Sequence, residues 1–359
     1  MDTSRRIGAR LKSYEIITLV FGFVCTGLVL FTPLSFSVKL AGLFFFKTIE
    51  LTALVFAMSI VITGYRAFVE GRSRGFKNIA QWSVLHKLAD PYWSLEYLLL
   101  TLRRGFTIFA VIYFFLHLKH VILFINSSNW DLFYWNLDKA LHLGVQPNVW
   151  VMEKFGTNHN VAILADWLYI KYFSYMLIAC FIFLMDTGGR RMAERFFFAY
   201  AFLWSVGGVG YLITPADGPC YAALINYSTP EGEREHMFRF PVIENVPNGY
   251  IASYGESKIW IAKIYQERLW MSRKRFLIDG KEPGMFYGIA AMPSLHVAMV
   301  GAIMFFLFAL SPFLGALGAI YLAAIFFGSI LLQWHYAVDG YVGLLMGYGS
   351  FFISGRVVK

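Results

Sequence analysis

The chain has 359 residues, of which 58% are hydrophobic, 19% aromatic and only 15% charged. That balance excludes an ordinary soluble protein of this length, and several apolar runs exceed the ~18 residues that mark a transmembrane helix. The net charge of +9 would suit nucleic acid as well as a membrane surface, so its placement along the chain has to decide between them.

In chain order, a basic start (Arg5, Arg6, Arg10, Lys12) leads into a long apolar run. A signal peptide would have a shorter apolar region and a small-residue cleavage site, so the run reads as a retained anchor. Eight spans are predicted, over 14–36, 41–65, 105–125, 163–185, 196–213, 293–311, 313–333 and 335–355. The second carries Lys47 and Glu50, and the fourth carries Lys171. Segments 72–104 and 129–144 are amphipathic and read as interfacial. Segment 214–292 contains the turn formers PADGP, ENVPNGY and DGKEPG, which predict an ordered cap of short helices and turns. Within it, Asn226 and Ser228 match a glycosylation acceptor. Cys25 and Cys180 lie in apolar runs and Cys220 in a loop, which implies neither a disulfide framework nor a zinc site.

Lys and Arg alternate between connections. The N-terminus has four, 66–104 has seven, 186–195 has three and the tail two, against one in 37–40 and two in 126–162. The positive-inside rule then puts both termini in the cytoplasm. Segment 214–292 falls outside and balances nine basic against nine acidic side chains. The excess positive charge is cytoplasmic and suits anionic headgroups, so nucleic acid is not needed to explain it.

This orientation brings three helix ends to one membrane face: YLITPADGP (211–219), PSLH (293–296) and WHYAVDG (334–340). Pro293 suits a first helical turn, where Ser294 and free amides offer donors to an anion. His335 and Asp339 are spaced i, i+4 on one helix face, so the carboxylate can hold one imidazole nitrogen and leave the other as nucleophile. His296, facing it from another helix, can protonate a leaving alkoxide. Phosphoryl transfer needs little more, and no metal or other cofactor is called for. A lone histidine at a helix end is more often a satisfied structural residue, and His86, His117, His120, His142, His159 and His236 are read that way. The combination of Ser-x-His and His-x-x-x-Asp on one side is what sets the pair apart.

At PSLH (293–296) and HYAVD (335–339), with YLITPADGP as a degenerate first motif, the sequence resembles the type-2 phosphatidic acid phosphatase superfamily of membrane enzymes. Among its branches it is most similar to the inositolphosphotransferases, which include the inositol phosphorylceramide synthases; WDLFYWNLDKALHLGVQPN resembles a segment of that branch. The likeness covers about 126–355 and implies that His335 attacks phosphorus, Asp339 orients it, His296 handles the proton of the departing alcohol, and Ser294 binds phosphate. The superfamily's first motif has a Lys and an Arg where 208–219 here has no basic residue, and its third has an Arg where Ser329 stands. Arg273, Lys274 and Arg275 of SRKR, with Arg268 and Lys281, are candidates to supply the missing charge, the guanidinium groups best suited to two phosphate oxygens.

The expected fold is therefore an all-α polytopic membrane protein. A six-helix core lies in the catalytic part 105–359, which includes the extracytoplasmic cap 214–292. An anchor pair and interfacial segment fill 1–104. The expected activity is a metal-independent lipid phosphotransferase that joins a phospholipid or lipid-phosphate donor to a lipid alcohol. The site would lie on the extracytoplasmic face. A lipid phosphatase is the first rival. A transporter routed through Lys47, Glu50 and Lys171, or a non-catalytic scaffold, is the second.

Overall fold

A computed structural model describes residues 11–75, 82–90, 92–126, 128–186, 190–221, 246–279 and 290–358. The expected acceptor at Asn226–Ser228 and Lys281 lie outside these residues, as do the side chains of Lys274 and Arg275. Every regular element among the described residues is helical.

Helices α1 (Ser13–Leu30) and α2 (Val38–Arg74) form an N-terminal pair, with Ser37 capping α2 by accepting from the Leu40 amide. At 37 residues α2 is about 55 Å long, more than a hydrocarbon core of about 30 Å, so its basic end (Arg66, Arg72, Arg74) reaches past any span. Lys47 and Glu50 pair at 2.6 Å on the outside of this helix, where both are largely exposed, so they line no interior path. The amphipathic segment 72–104 divides into the end of α2, a short α3 (Trp82–Ala89) and the start of α4 (Leu95–Ile125). Ser94 caps α4 about ten residues earlier than the apolar run predicts, because Arg103 inside the helix finds Glu15 of α1 at 2.6 Å.

The amphipathic segment at 129–144 becomes α5 (Asp131–Leu141), followed by α6 (Pro147–Phe155). The fourth expected span is broken at Lys171 into α7 (His159–Ile170) and α8 (Tyr172–Met185), bent by 42°. After α9 (Arg190–Ile213), the described part of the expected cap holds α10 (Asn248–Glu256) against α6 and α11 (Ile261–Asp279) against α7. The chain ends in α12 (Leu295–Leu310), α13 (Pro312–Leu331) and α14 (Ala337–Val357). Five helices are long and apolar enough to cross a membrane, or six if the bent α7–α8 pair is one span, which makes this a membrane protein. The sequence predicts eight spans; α12 is apolar but only 16 residues long.

Packing runs from the N-terminal pair onto α4, from α4 onto α9, and from α9 onto α12 and α14. Helices α12 and α14 approach backbone to backbone. A Cβ on Gly343 would lie 2.4 Å from the Ser294 carbonyl oxygen, and one on Gly347 2.5 Å from that of Ala298. Any larger residue at either place would force the helices apart.

Candidate active site

The turn between α13 and α14 is built residue by residue. The Ser329 carbonyl accepts from the amides of Trp334 (3.0 Å) and His335 (3.2 Å), closing the chain after α13. Gln333 sits in the left-handed region at φ 61°, a conformation that costs a non-glycine residue about 1 kcal/mol or more. Its side chain offsets that cost: the amide donates to the carbonyls of Ile330 (2.8 Å) and Asn148 (3.1 Å), and its oxygen accepts from the Tyr250 hydroxyl (2.8 Å). Asn148, at the start of α6, donates to the His335 carbonyl at 3.0 Å. The backbone on both sides of His335 is thereby fixed.

Helix α5 supplies two carboxylates that hold the same region from outside. Asp138 accepts from the amides of Ala337 (2.7 Å) and Val338 (2.8 Å), capping α14 in trans. Asp131 accepts from the amides of Asp217 (2.7 Å) and Gly218 (2.8 Å) and from the Tyr336 hydroxyl (2.7 Å). These two residues, seven apart on one face of α5, tie the PADGP loop to the His335 turn. Gly218 (φ 105°) is required there, because a Cβ would lie 2.7 Å from the Trp334 carbonyl oxygen. Burial pushes the Asp138 carboxyl up to about 6. Burial and the neighbouring Asp217 charge likewise raise Asp131.

At the centre, the rings of His296 and His335 face each other at 5.7 Å between centroids, on the first turn of α12 and just ahead of α14. His335 Nδ1 lies 3.4 Å from Asp339 Oδ2, a contact longer than the usual hydrogen bond, while that carboxylate also accepts from the Tyr336 amide at 3.0 Å. Asp339 and Ser294 are fully buried, and His335 is 3% exposed. Ser294 is the N-cap of α12, its Oγ accepting from Val297, and its amide donates to the Asp339 carbonyl at 3.1 Å. The four residues singled out by the two motifs are thus brought together. Arg273 of α11 is buried nearby in the PADGP region, paired with Asp217.

Several contributors escape a sequence reading. Tyr169 and Tyr172 flank the α7–α8 break, and their rings pack on His296 at 4.9 and 4.3 Å. Lys171, an ion inside an apolar run, was the one visible signal of that break. Asp131 and Asp138 show only a common helix face in the sequence, with nothing to reveal which amides they hold. Among the described residues, no group of three or more His, Cys, Asp or Glu is placed to hold a metal ion.

Compared with known proteins, residues 134–353, more than half of the chain, match the family model of the PAP2 superfamily. No curated protein and no solved structure matches the chain.

Proposed function

The chain belongs to the PAP2 superfamily, and from that premise we propose that it is a lipid phosphotransferase working through a phosphohistidine. Membership itself points to phosphatase or phosphotransferase chemistry on lipid phosphates. The observation that carries the finer reading is the His296–His335–Asp339 arrangement, two imidazoles with ring centroids 5.7 Å apart and a carboxylate behind one of them.

In this reading Asp339 holds His335 by Nδ1, which leaves the Nε2 lone pair to attack phosphorus. The P–O bond to the donor alcohol breaks as the P–N bond forms, and His296 gives its proton to the departing alkoxide. Neutral His296 then takes the proton of an incoming hydroxyl, whose oxygen attacks phosphorus and releases His335. A lipid alcohol as acceptor gives a transferase, and water gives a phosphatase. The near-complete burial of His335, with Tyr169 and Tyr172 covering His296, supports the transferase because it limits access of water. Ser294, Arg273, Lys274 and Arg275 remain proposed phosphate ligands. The alternation of basic connections supports cytoplasmic termini and an extracytoplasmic site. The resemblance to inositolphosphotransferases supports an inositol-containing phospholipid as donor and a ceramide-like alcohol as acceptor.

The test compares purified protein with His335→Ala, each incubated with a panel of phospholipids and lipid phosphates. Ceramide or diacylglycerol is added or withheld, and products are read by mass spectrometry. A new phosphorylated lipid that needs both acceptor and His335 is expected. Free phosphate formed equally well without acceptor would make the protein a phosphatase, and no His335-dependent product from any donor would refute both.

A further inference from the structure

Among the described residues, no cation that is free of a carboxylate partner has yet been placed at the two histidines. The PADGP loop has no basic residue, Ser329 stands where the superfamily has an arginine, and Arg273 is held by the buried carboxylate of Asp217. One ammonium group answers this gap, and it comes from outside the residues that match the family. Lys119 lies near the end of α4, between His117 and His120. Both histidines are tied to the helix, donating from Nδ1 to the carbonyls of Tyr113 and Leu116. Lys119 is not tied. Among the described residues it has neither a hydrogen bond nor an ion pair, and its Nζ stands 5.8 Å from the Phe115 ring and 5.9 Å from the Tyr211 ring.

Tyr211 connects this lysine to the catalytic turn. It lies at the end of α9, which packs directly on the start of α12: a Cβ on Gly207 would run into the Leu295 side chain, next to His296. The preceding Gly210 is so close to PSLH that a Cβ there would lie 2.8 Å from Pro293 Cδ. The Lys119 ammonium is therefore one aromatic ring away from the part of α9 that packs on the PSLH turn. An ammonium half-buried in an apolar bundle without a counter-ion is costly, and two ring contacts near the 6 Å limit recover only part of that cost. A phosphate between the two histidines would supply the missing anion, and a flexible four-carbon stem lets a lysine reach it as a point charge.

We propose that Lys119 is the phosphate-binding cation of this site, holding a non-bridging oxygen of the substrate's phosphoryl group in place of the basic residues absent from the first motif. This rests on the site assignment above, and the test separates the two. Inorganic phosphate and orthovanadate are titrated into the full chain in detergent, with binding followed by thermal shift and tryptophan fluorescence.

Lys119→Met is expected to weaken both anions by about 10- to 100-fold, since a hydrogen bond to a charged group contributes about 1.5–3 kcal/mol and each 1.36 kcal/mol is tenfold. Lys119→Arg should stay within about 5-fold, because the charge remains. If Lys119→Met does not fold, Lys119→Cys decides the matter. After folding, an aminoethyl reagent that restores an ammonium should recover binding, and a neutral methyl reagent should not. The chain's own three thiols are buried.

Anion binding by Lys119→Met equal to the unsubstituted chain, no binding by the unsubstituted chain, or loss confined to Arg273→Met would each overturn the proposal. Lys119-dependent anion binding without His335-dependent turnover of any lipid would uphold the cation and refute the transferase.

Discussion

Two pairs of histidines sit near the ends of apolar helices in this molecule, and they differ in what holds them. His117 donates from Nδ1 to the Tyr113 carbonyl at 2.7 Å and accepts from the Ser37 amide at 3.0 Å, and His120 donates to Leu116 at 2.8 Å. His142 follows the same pattern, bonded to the Asp138 carbonyl and the Tyr341 hydroxyl. His335 has no hydrogen bond at Nδ1 beyond the long contact to Asp339, and His296 meets aromatic rings and His335 alone among the described residues. A helix satisfies a histidine by lending it the carbonyl four residues back. His296, on its helix's first turn, and His335, ahead of its own, have no such carbonyl within the helix to accept from them. Their positions keep the rings available for chemistry.

Substitutions sharpen this contrast, and the largest effect is expected at the proposed nucleophile. His335→Ala should reduce turnover of a lipid phosphate about 10,000-fold or more with the fold intact, measured as product per mole of monodisperse protein. Asp339→Asn keeps the shape but loses the acceptor that fixes the tautomer of His335, and about 1,000-fold in kcat is expected.

Asp138→Asn replaces one of two amide acceptors by a donor, and should lower kcat about 10-fold through loosening of the His335 turn. Asp138 also predicts a pH dependence, because both of its oxygens accept amides and a proton on either removes one bond. Activity should fall as pH is lowered through about 6, a limb that Asp138→Asn should lack. Stability moves the other way. A carboxyl raised in the folded state contributes stability that is full below the unfolded value near 4 and lost as pH rises through about 6, which thermal melts across that window would detect. The smallest catalytic effect is expected at a satisfied ring. His117→Ala should leave turnover within about 2-fold while lowering stability by about 1–3 kcal/mol, through the stranded Ser37 amide. A large loss of turnover there would erase the distinction between the two pairs.

The residues that meet at the candidate site were legible because their signals are local. PSLH and HYAVD are contiguous, so each brings its polar residues to one helix start, although His335 lies ahead of α14 and not on the helix face that the i, i+4 spacing suggests. The all-helical fold was legible from apolar run length for the same reason. What escaped depends on contacts between distant segments. The early start of α4 follows from the Arg103–Glu15 pair, which no window of hydropathy contains. The ring partners of His296 lie more than 100 residues away in a span whose break at Lys171 turns two tyrosines toward it. Lys119 sits between two histidines that are bonded to their own helix, and only the Phe115 and Tyr211 rings beside it show where its charge is directed.

The close approach of α12 and α14 at Gly343 and Gly347 bears on how this protein can change over time. Main chain meets main chain there, so near the helix starts the spacing of α12, which carries His296, and α14, which carries Asp339, is set by two glycines, with aromatic rings such as Phe306 and Phe351 filling the interface further along. The exposed apolar residues of the same helices, such as Leu345 and Phe308, are then free to drift toward whatever bilayer thickness or composition a lineage adopts. The arrangement of the candidate site would be passed on unaltered, guarded by two positions where nothing larger than a hydrogen atom is admitted.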